Sequence, residues 1–89
     1  MKETRTFILK NELGLHARAA AMLVTVAGKY KADIVFEREG REVEGKSILG
    51  ILTLACPKGS SIIVRAEGDD ALDAVNELED LVEKKFGED

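Results

Sequence analysis

His16 is the only histidine of the 89-residue chain, and it stands in Gly14-Leu15-His16-Ala17-Arg18. An imidazole is a nitrogen nucleophile that titrates near neutral pH, and a phosphoryl group is one electrophile it can take on covalently. Arg18 offers a planar fork of donors suited to phosphoryl oxygens. The residues after His16 have helical character, and the first amides of a helix lack intrahelical acceptors. With the helix dipole, the N–H groups of Ala17, Arg18 and Ala19 make an anion cradle, and the positive field there favours the uncharged ring that can attack. Nucleophile, cradle and clamp would come from one short segment. Spacing alone equally allows a histidine that caps a helix beside a solvated arginine.

The elements that must position this segment are legible as alternations of pattern. Thr4 to Leu9 is β-branched and apolar and reads as a strand, and Asn11 to Leu15, with Gly14, as a loop. From Ala17 to Tyr30, Ala20, Leu23, Val24 and Ala27 recur at helical spacing, with Gly28 weakening the last turn. Ala32 to Glu37 reads as a second strand with Ile34 and Phe36 on one face. Glu39-Gly40 is a tight turn, and Arg41 to Glu44 returns as a charged edge strand. Ser47 to Ala55 is a short apolar helical segment stopped by Pro57. Gly59 to Glu67 is the clearest strand, with Ile62, Val64 and Ala66 on one side. Gly68-Asp69-Asp70 opens a final helix, capped by Asp69 or Asp70. Ala71, Val75, Leu78 and Val82 face inward, Asp73, Glu77, Asp80 and Lys84 face water, and Lys84, Lys85 and Gly87 mark the end. The order β-α-β-β-α-β-α, with helices between antiparallel strands, predicts a two-layer α+β domain over residues 1–89.

Composition narrows the function classes. Apolar residues make up 45% of the chain and aromatics only 4%, so the core must be aliphatic. A net charge of −4 argues against a general binder of nucleic acid or anionic membranes. An RNA-binding sheet would need exposed aromatics, whereas Phe7, Tyr30, Phe36 and Phe86 lie mostly at core-like spacing. No metal site is expected, because histidine and cysteine ligands do not cluster. The lone Cys56 reads as a reduced thiol packed as a small hydrophobe; nothing in the pattern supports its pairing with His16 as a nucleophile. The N-terminal segment lacks an apolar stretch of signal length, and no run is long enough to span a bilayer, so the expected location is the cytoplasm.

Asn11-Glu12-Leu13-Gly14-Leu15-His16-Ala17-Arg18 resembles the active-site segment of the HPr family, the histidine-containing phosphocarriers of the bacterial phosphoenolpyruvate-dependent phosphotransferase system. Lys46-Ser47-Ile48-Leu49-Gly50-Ile51-Leu52-Thr53-Leu54 resembles the family's second signature. Lys58 to Ile62 and Ala66 to Asp70 resemble the stretch that enters its last helix, so the similarity runs along the whole chain. The resemblance implies an open-faced sandwich with a four-stranded antiparallel sheet, order 1-4-2-3, and three helices on one face. It implies that His16 accepts a phosphoryl group on Nδ1 from phosphorylated enzyme I and passes it to a histidine of an enzyme IIA domain in sugar uptake, with Arg18 assisting. Such a protein is a carrier rather than an independent catalyst, needs no cofactor beyond the phosphoryl group derived from phosphoenolpyruvate, and is expected to be a monomer. The alternative is a nitrogen-branch or regulatory paralogue acting mainly by protein–protein binding. One departure stands out: the family motif usually continues Gly-Leu-His-Ala-Arg-Pro, and Ala19 stands where that proline would be. Alanine restores one N–H beside the cradle and loosens the helix start that proline would fix.

Ser47 reads first as the N-cap of the short helix, worth roughly 1 kcal/mol. By resemblance it is also a candidate for regulatory phosphorylation by an HPr kinase. Of the apolar residues that follow, Ile51 and Leu54 suit the core, and Ile48, Leu49 and Leu52 are expected to form an exposed patch for docking enzyme I and enzyme IIA. Gly50 weakens the helix by about 0.5–1 kcal/mol relative to alanine, which points to a close approach at that position.

Overall fold

The computed structural model describes residues 1–88. Strands β1 (Lys2–Ile8), β2 (Asp33–Arg38), β3 (Arg41–Glu44) and β4 (Ser61–Glu67) and helices α1 (Ala17–Ala27), α2 (Ile48–Leu52) and α3 (Ala71–Glu83) follow in the order β1-α1-β2-β3-α2-β4-α3. The strands form one antiparallel sheet, β1-β4-β2-β3, covered on one face by the helices as an open-faced sandwich.

Period-two alternation sets the register. Phe7 lies opposite Ile62, and Val64 lies between Arg5 on one side and Phe36 on the other. Phe7, Ile34, Phe36, Ile62, Val64 and Ala66 are all buried on the helical face. A slip of one residue would turn that set to solvent. Glu39 and Gly40 both take positive φ, the geometry a two-residue hairpin turn needs to match strand twist. The helices bury aliphatic stripes against this face: Ala20, Leu23 and Ala27 from α1, and Ala71, Ala74, Val75, Leu78 and Val82 from α3.

Several boundaries and contacts differ from the expectations above. The first helix ends at Ala27 rather than Tyr30, because Gly28 closes it and Lys29 and Tyr30 fold into the following turn. Tyr30 Oη donates to Glu77, and that contact holds the phenol up at about 12. Glu77, expected in water, is therefore half-buried. Asp70 holds the N-cap position of α3 but makes no side-chain cap. Its carboxylate instead accepts the amides of Lys31 (2.8 Å) and Ala32 (2.9 Å), tying the entry of β2 to the start of α3.

The second helix is shorter than the Ser47–Ala55 segment expected, and that segment divides as expected at four of its five large apolar positions. Ile51 is fully buried and Leu54 nearly so, while Ile48 (41% exposed) and Leu49 (77%) face solvent. Leu52 departs: it is half-buried and packs against the core. With five residues the helix makes little more than one turn, so Leu52 is held at the flank of the Ile51 face. Gly50 shows the expected close approach, since a Cβ there would lie 3.3 Å from Cβ of Val43. Ile51→Ala should cost about 2–5 kcal/mol, against about 0.5 kcal/mol or less for Leu49→Ala. Urea unfolding checks this through a lowered midpoint at unchanged slope for Ile51→Ala alone.

Candidate functional site

The segment that carries His16 is strapped down by its own backbone. Leu9 continues the pairing of β1 with β4: its amide donates to Ser60 O (3.0 Å) and its carbonyl accepts from Gly59 (2.8 Å). The chain then turns at Asn11, which is fully buried. The Gly14 amide donates to Asn11 O (3.2 Å), and Asn11 Nδ2 donates to Gly14 O (2.7 Å), closing the turn from both sides. The Leu15 amide donates to Cys56 O (2.8 Å), fastening this loop to the one between α2 and β4. That crossing requires glycine: Gly14 has φ +63°, and a Cβ there would meet Cys56 O at 2.4 Å. Buried Leu15 on one side and buried Ala19 on the other then fix the start of α1, leaving His16 at its N-cap position.

The imidazole does not cap the helix, as the sequence allowed; it turns to a residue 72 positions away. His16 Nε2 lies 2.8 Å from Oε2 of Glu88, and Asn11 Nδ2 donates to that same oxygen at 2.8 Å. The reason is electrostatic, since a carboxylate is a far stronger partner for a ring nitrogen than a neutral backbone amide. The hydrogen bond from His16 holds the Glu88 carboxyl below the ordinary glutamate range; partial burial opposes the shift, and Asn11 and the Leu13 amide assist it. Side-chain exposure is 26% for His16 and 18% for Glu88, so the pair is half-buried, and the ring is less open than a freely solvated one.

Glu88 arrives by a reversal after α3. Lys85 and Phe86 take φ of 57° and 55°, in the left-handed region, and Gly87 follows at 80°. Two non-glycine residues in that region cost on the order of 1 kcal/mol or more each. Burial of the Phe86 ring, at 2% exposure, offsets that strain and anchors the turn.

The amides of Ala17, Arg18 and Ala19 have no acceptor among the described residues, as the first turn of a helix dictates. Arg18 is exposed and forms no ion pair among the described residues. It borders a shallow apolar groove between α1 and α3, with Ala21, Met22, Thr25, Val26 and Leu81. The structure thus gathers His16, Asn11, Gly14 and Glu88 and leaves Arg18 beside the cluster rather than in it. Ser47 caps α2, its Oγ accepting from the Gly50 amide at 3.1 Å, as expected. Cys56 is buried, and burial pushes its thiol up from the ordinary range; its contribution to the site is the backbone carbonyl that receives Leu15.

The Glu88 contact is directly measurable. In a carbon-detected titration of side-chain carboxyls, Glu88 should titrate below the ordinary glutamate range in the wild type and rise toward it in His16→Ala, where the contacts from Asn11 and Leu13 remain. Because the folded value is depressed, the pair stabilises the fold above the ordinary carboxylate range. That contribution is lost as pH falls through the depressed midpoint.

Comparison with known proteins places the chain and its fold. The family described as the phosphotransferase-system (PTS) HPr component phosphorylation site matches residues 3–84. Phosphocarrier protein HPr of Xylella fastidiosa (strain 9a5c) is 44% identical over 82 residues, covering 92% of each chain. The crystal structure of HPr-C-His from Thermoanaerobacter tengcongensis superposes with a TM-score of 0.94 at 42% identity, covering 98% of both chains. That of phosphocarrier protein HPr from Bacillus anthracis str. Ames gives 0.87 at 38% identity, over 91% of this chain and 96% of that one. Fold and sequence agree, and the chain belongs to the HPr family of phosphotransferase-system phosphocarriers.

Proposed function

We propose that His16 accepts a phosphoryl group on Nδ1 from phosphorylated enzyme I and passes it to a histidine of an enzyme IIA domain, serving sugar uptake from the cytoplasm. The observation that carries this reading is a half-buried imidazole held at the start of α1, beside amides that no acceptor takes among the described residues. A carrier needs a site that receives a dianion without enclosing it, because the next partner must reach the same phosphorus. The amides of Ala17 and Arg18, both exposed residues, receive the incoming oxygens. Ala19 is fully buried and serves chiefly to seat the helix. Arg18, with no carboxylate to hold it among the described residues, swings toward the phosphoryl group and neutralises charge during transfer.

Ile48 and Leu49 form the core of the docking surface, joined by Leu13, which is 68% exposed and lies in the active-site loop itself. Leu52 supports this patch from its half-buried position. Ser47 stands at its edge. A phosphate on its Oγ would keep an acceptor at the helix start while placing negative charge beside the apolar contact, weakening docking of acidic partners. The protein acts as a monomer and as a carried substrate of its partners rather than as a catalyst on its own.

Incubation with phosphoenolpyruvate and enzyme I should give one acid-labile, base-stable phosphate per chain, absent in His16→Ala. Label retained in that variant would end the reading. Arg18→Ala should fold normally and transfer at least about tenfold more slowly, having lost a charge-stabilising group; an unchanged rate would remove Arg18 from the site. Leu49→Asp should weaken binding to enzyme I in calorimetry while shifting stability by no more than about 0.5 kcal/mol.

A further inference from the structure

We propose that Glu88 is a positioning residue for phosphoryl transfer: it holds the Nε2 proton of His16, so that Nδ1 always presents the attacking lone pair. The proposal rests on the reading of His16 as phosphoryl acceptor and adds a residue outside the family match, which ends at residue 84.

The geometry fixes the direction of the hydrogen bonds. Oε2 of Glu88 receives Asn11 Nδ2 and faces His16 Nε2, each at 2.8 Å. An ionised carboxylate has no proton to give, so the bond to the ring exists only if Nε2 carries the hydrogen. A neutral His16 then has its single lone pair at Nδ1. The choice between ring nitrogens is made by the partner of the other one, as it is wherever a histidine must present one nitrogen and not the other.

Asn11 shows that this arrangement is held against a cost. Its amide is fully buried, with Nδ2 donating to both Gly14 O and Glu88. Turning the amide over would set its oxygen against two acceptors. The orientation that serves Glu88 leaves Oδ1 buried without a protein partner among the described residues. An unsatisfied buried acceptor costs about 1–3 kcal/mol. The left-handed backbone at Lys85 and Phe86 is a second cost met at the same place, and it is what returns the chain to the ring.

The chemistry gains from a proton that does not move. The Nδ1 lone pair forms the new N–P bond while the bond between phosphorus and the donor's nitrogen breaks, and that electron pair stays with the donor. Throughout, Nε2 keeps its hydrogen, so the phosphorylated ring is an imidazolium, with its positive charge between the phosphoryl group and the Glu88 carboxylate. In the onward step the ring leaves as a neutral imidazole rather than as an anion. Glu88 thereby favours acceptance and release alike, through the ring and without touching phosphorus.

The test separates this role from the function it rests on. In full-length protein labelled with nitrogen-15, at a pH where the ring is neutral, wild-type His16 should show a protonated Nε2 and a bare Nδ1. Glu88→Ala should keep its fold and give a mixed ring signal, with acceptance from enzyme I slowed about tenfold through looser positioning. In Glu88→Gln, the amide oxygen should take the place of Oε2, because the donors from Asn11 and Leu13 repel its NH2 group. That variant should keep the single ring form and recover part of the rate. A wild-type ring protonated at Nδ1, or a wild-type ring signal or rate in Glu88→Ala, overturns the proposal. Wild-type protein that takes no phosphate at all overturns the phosphocarrier reading instead, and the ring spectra still judge the contact.

Discussion

The hydrogen bond from the Leu15 amide to the Cys56 carbonyl is the constraint on which the site depends. It joins two loops that enter different helices and strands, and so brings the His16 segment, the end of α2 and the start of β4 into one rigid corner. The bond forms only because Gly14 lacks a Cβ where the Cys56 carbonyl passes. Everything that gives His16 a fixed setting follows from it: Leu15 is drawn into the core, the chain enters α1 in extended conformation at φ −86°, ψ 177°, and the first helical amides come free beside the ring. A looser loop would leave the same residues present and their geometry unspecified, and transfer through a misplaced nitrogen is slow even when every group is at hand.

Charge is arranged around the ring on two sides. The dipole of α1 and its first amides, without an acceptor among the described residues, make the helix start hospitable to an anion, while Glu88 occupies the Nε2 side of the ring. A carboxylate placed on the phosphoryl side would repel the incoming group. Bound at Nε2, Glu88 acts on the imidazole, and in the proposed transfer through Nδ1 the ring itself would separate it from phosphorus. Partial burial matters here, since at 26% and 18% exposure the pair is screened less than a surface pair and still open enough for a partner to approach.

Much of this was legible in the sequence, and the reasons are physical. Strand and helix assignments rested on period-two and period-3.6 patterns in an aliphatic core, and those periods survive folding because burial enforces them. The Gly14-Leu15-His16-Ala17-Arg18 segment was legible because nucleophile, helix start and arginine are neighbours in the chain. Ser47 was legible as a cap for the same local reason. What escaped was long-range. Asp70 spends its carboxylate on Lys31 and Ala32, 39 and 38 positions away, and Glu88 reaches His16 across 72. No periodicity encodes such pairs. Leu52 escaped for a different reason, because a helix of one turn has no stripe clear enough to divide its faces.

The tail nevertheless carried a trace of its role. Phe86 is a large apolar residue placed after the helix-ending lysines and immediately before Gly87, where a solvated segment has no use for one. A buried aromatic at that point can only be reached by reversing the chain, and the reversal fixes where the next residue falls. Glu88 is therefore positioned by packing rather than by its own charge: the Phe86 ring is the anchor, the left-handed turn the lever, and the carboxylate the end that reaches the site. Had charge attraction alone been the cause, the carboxylate would be held only at the entropic cost of ordering the segment that carries it. With the anchor in place that cost is met by the core, and a two-centre contact with His16 and Asn11 persists at a surface where isolated ion pairs contribute little.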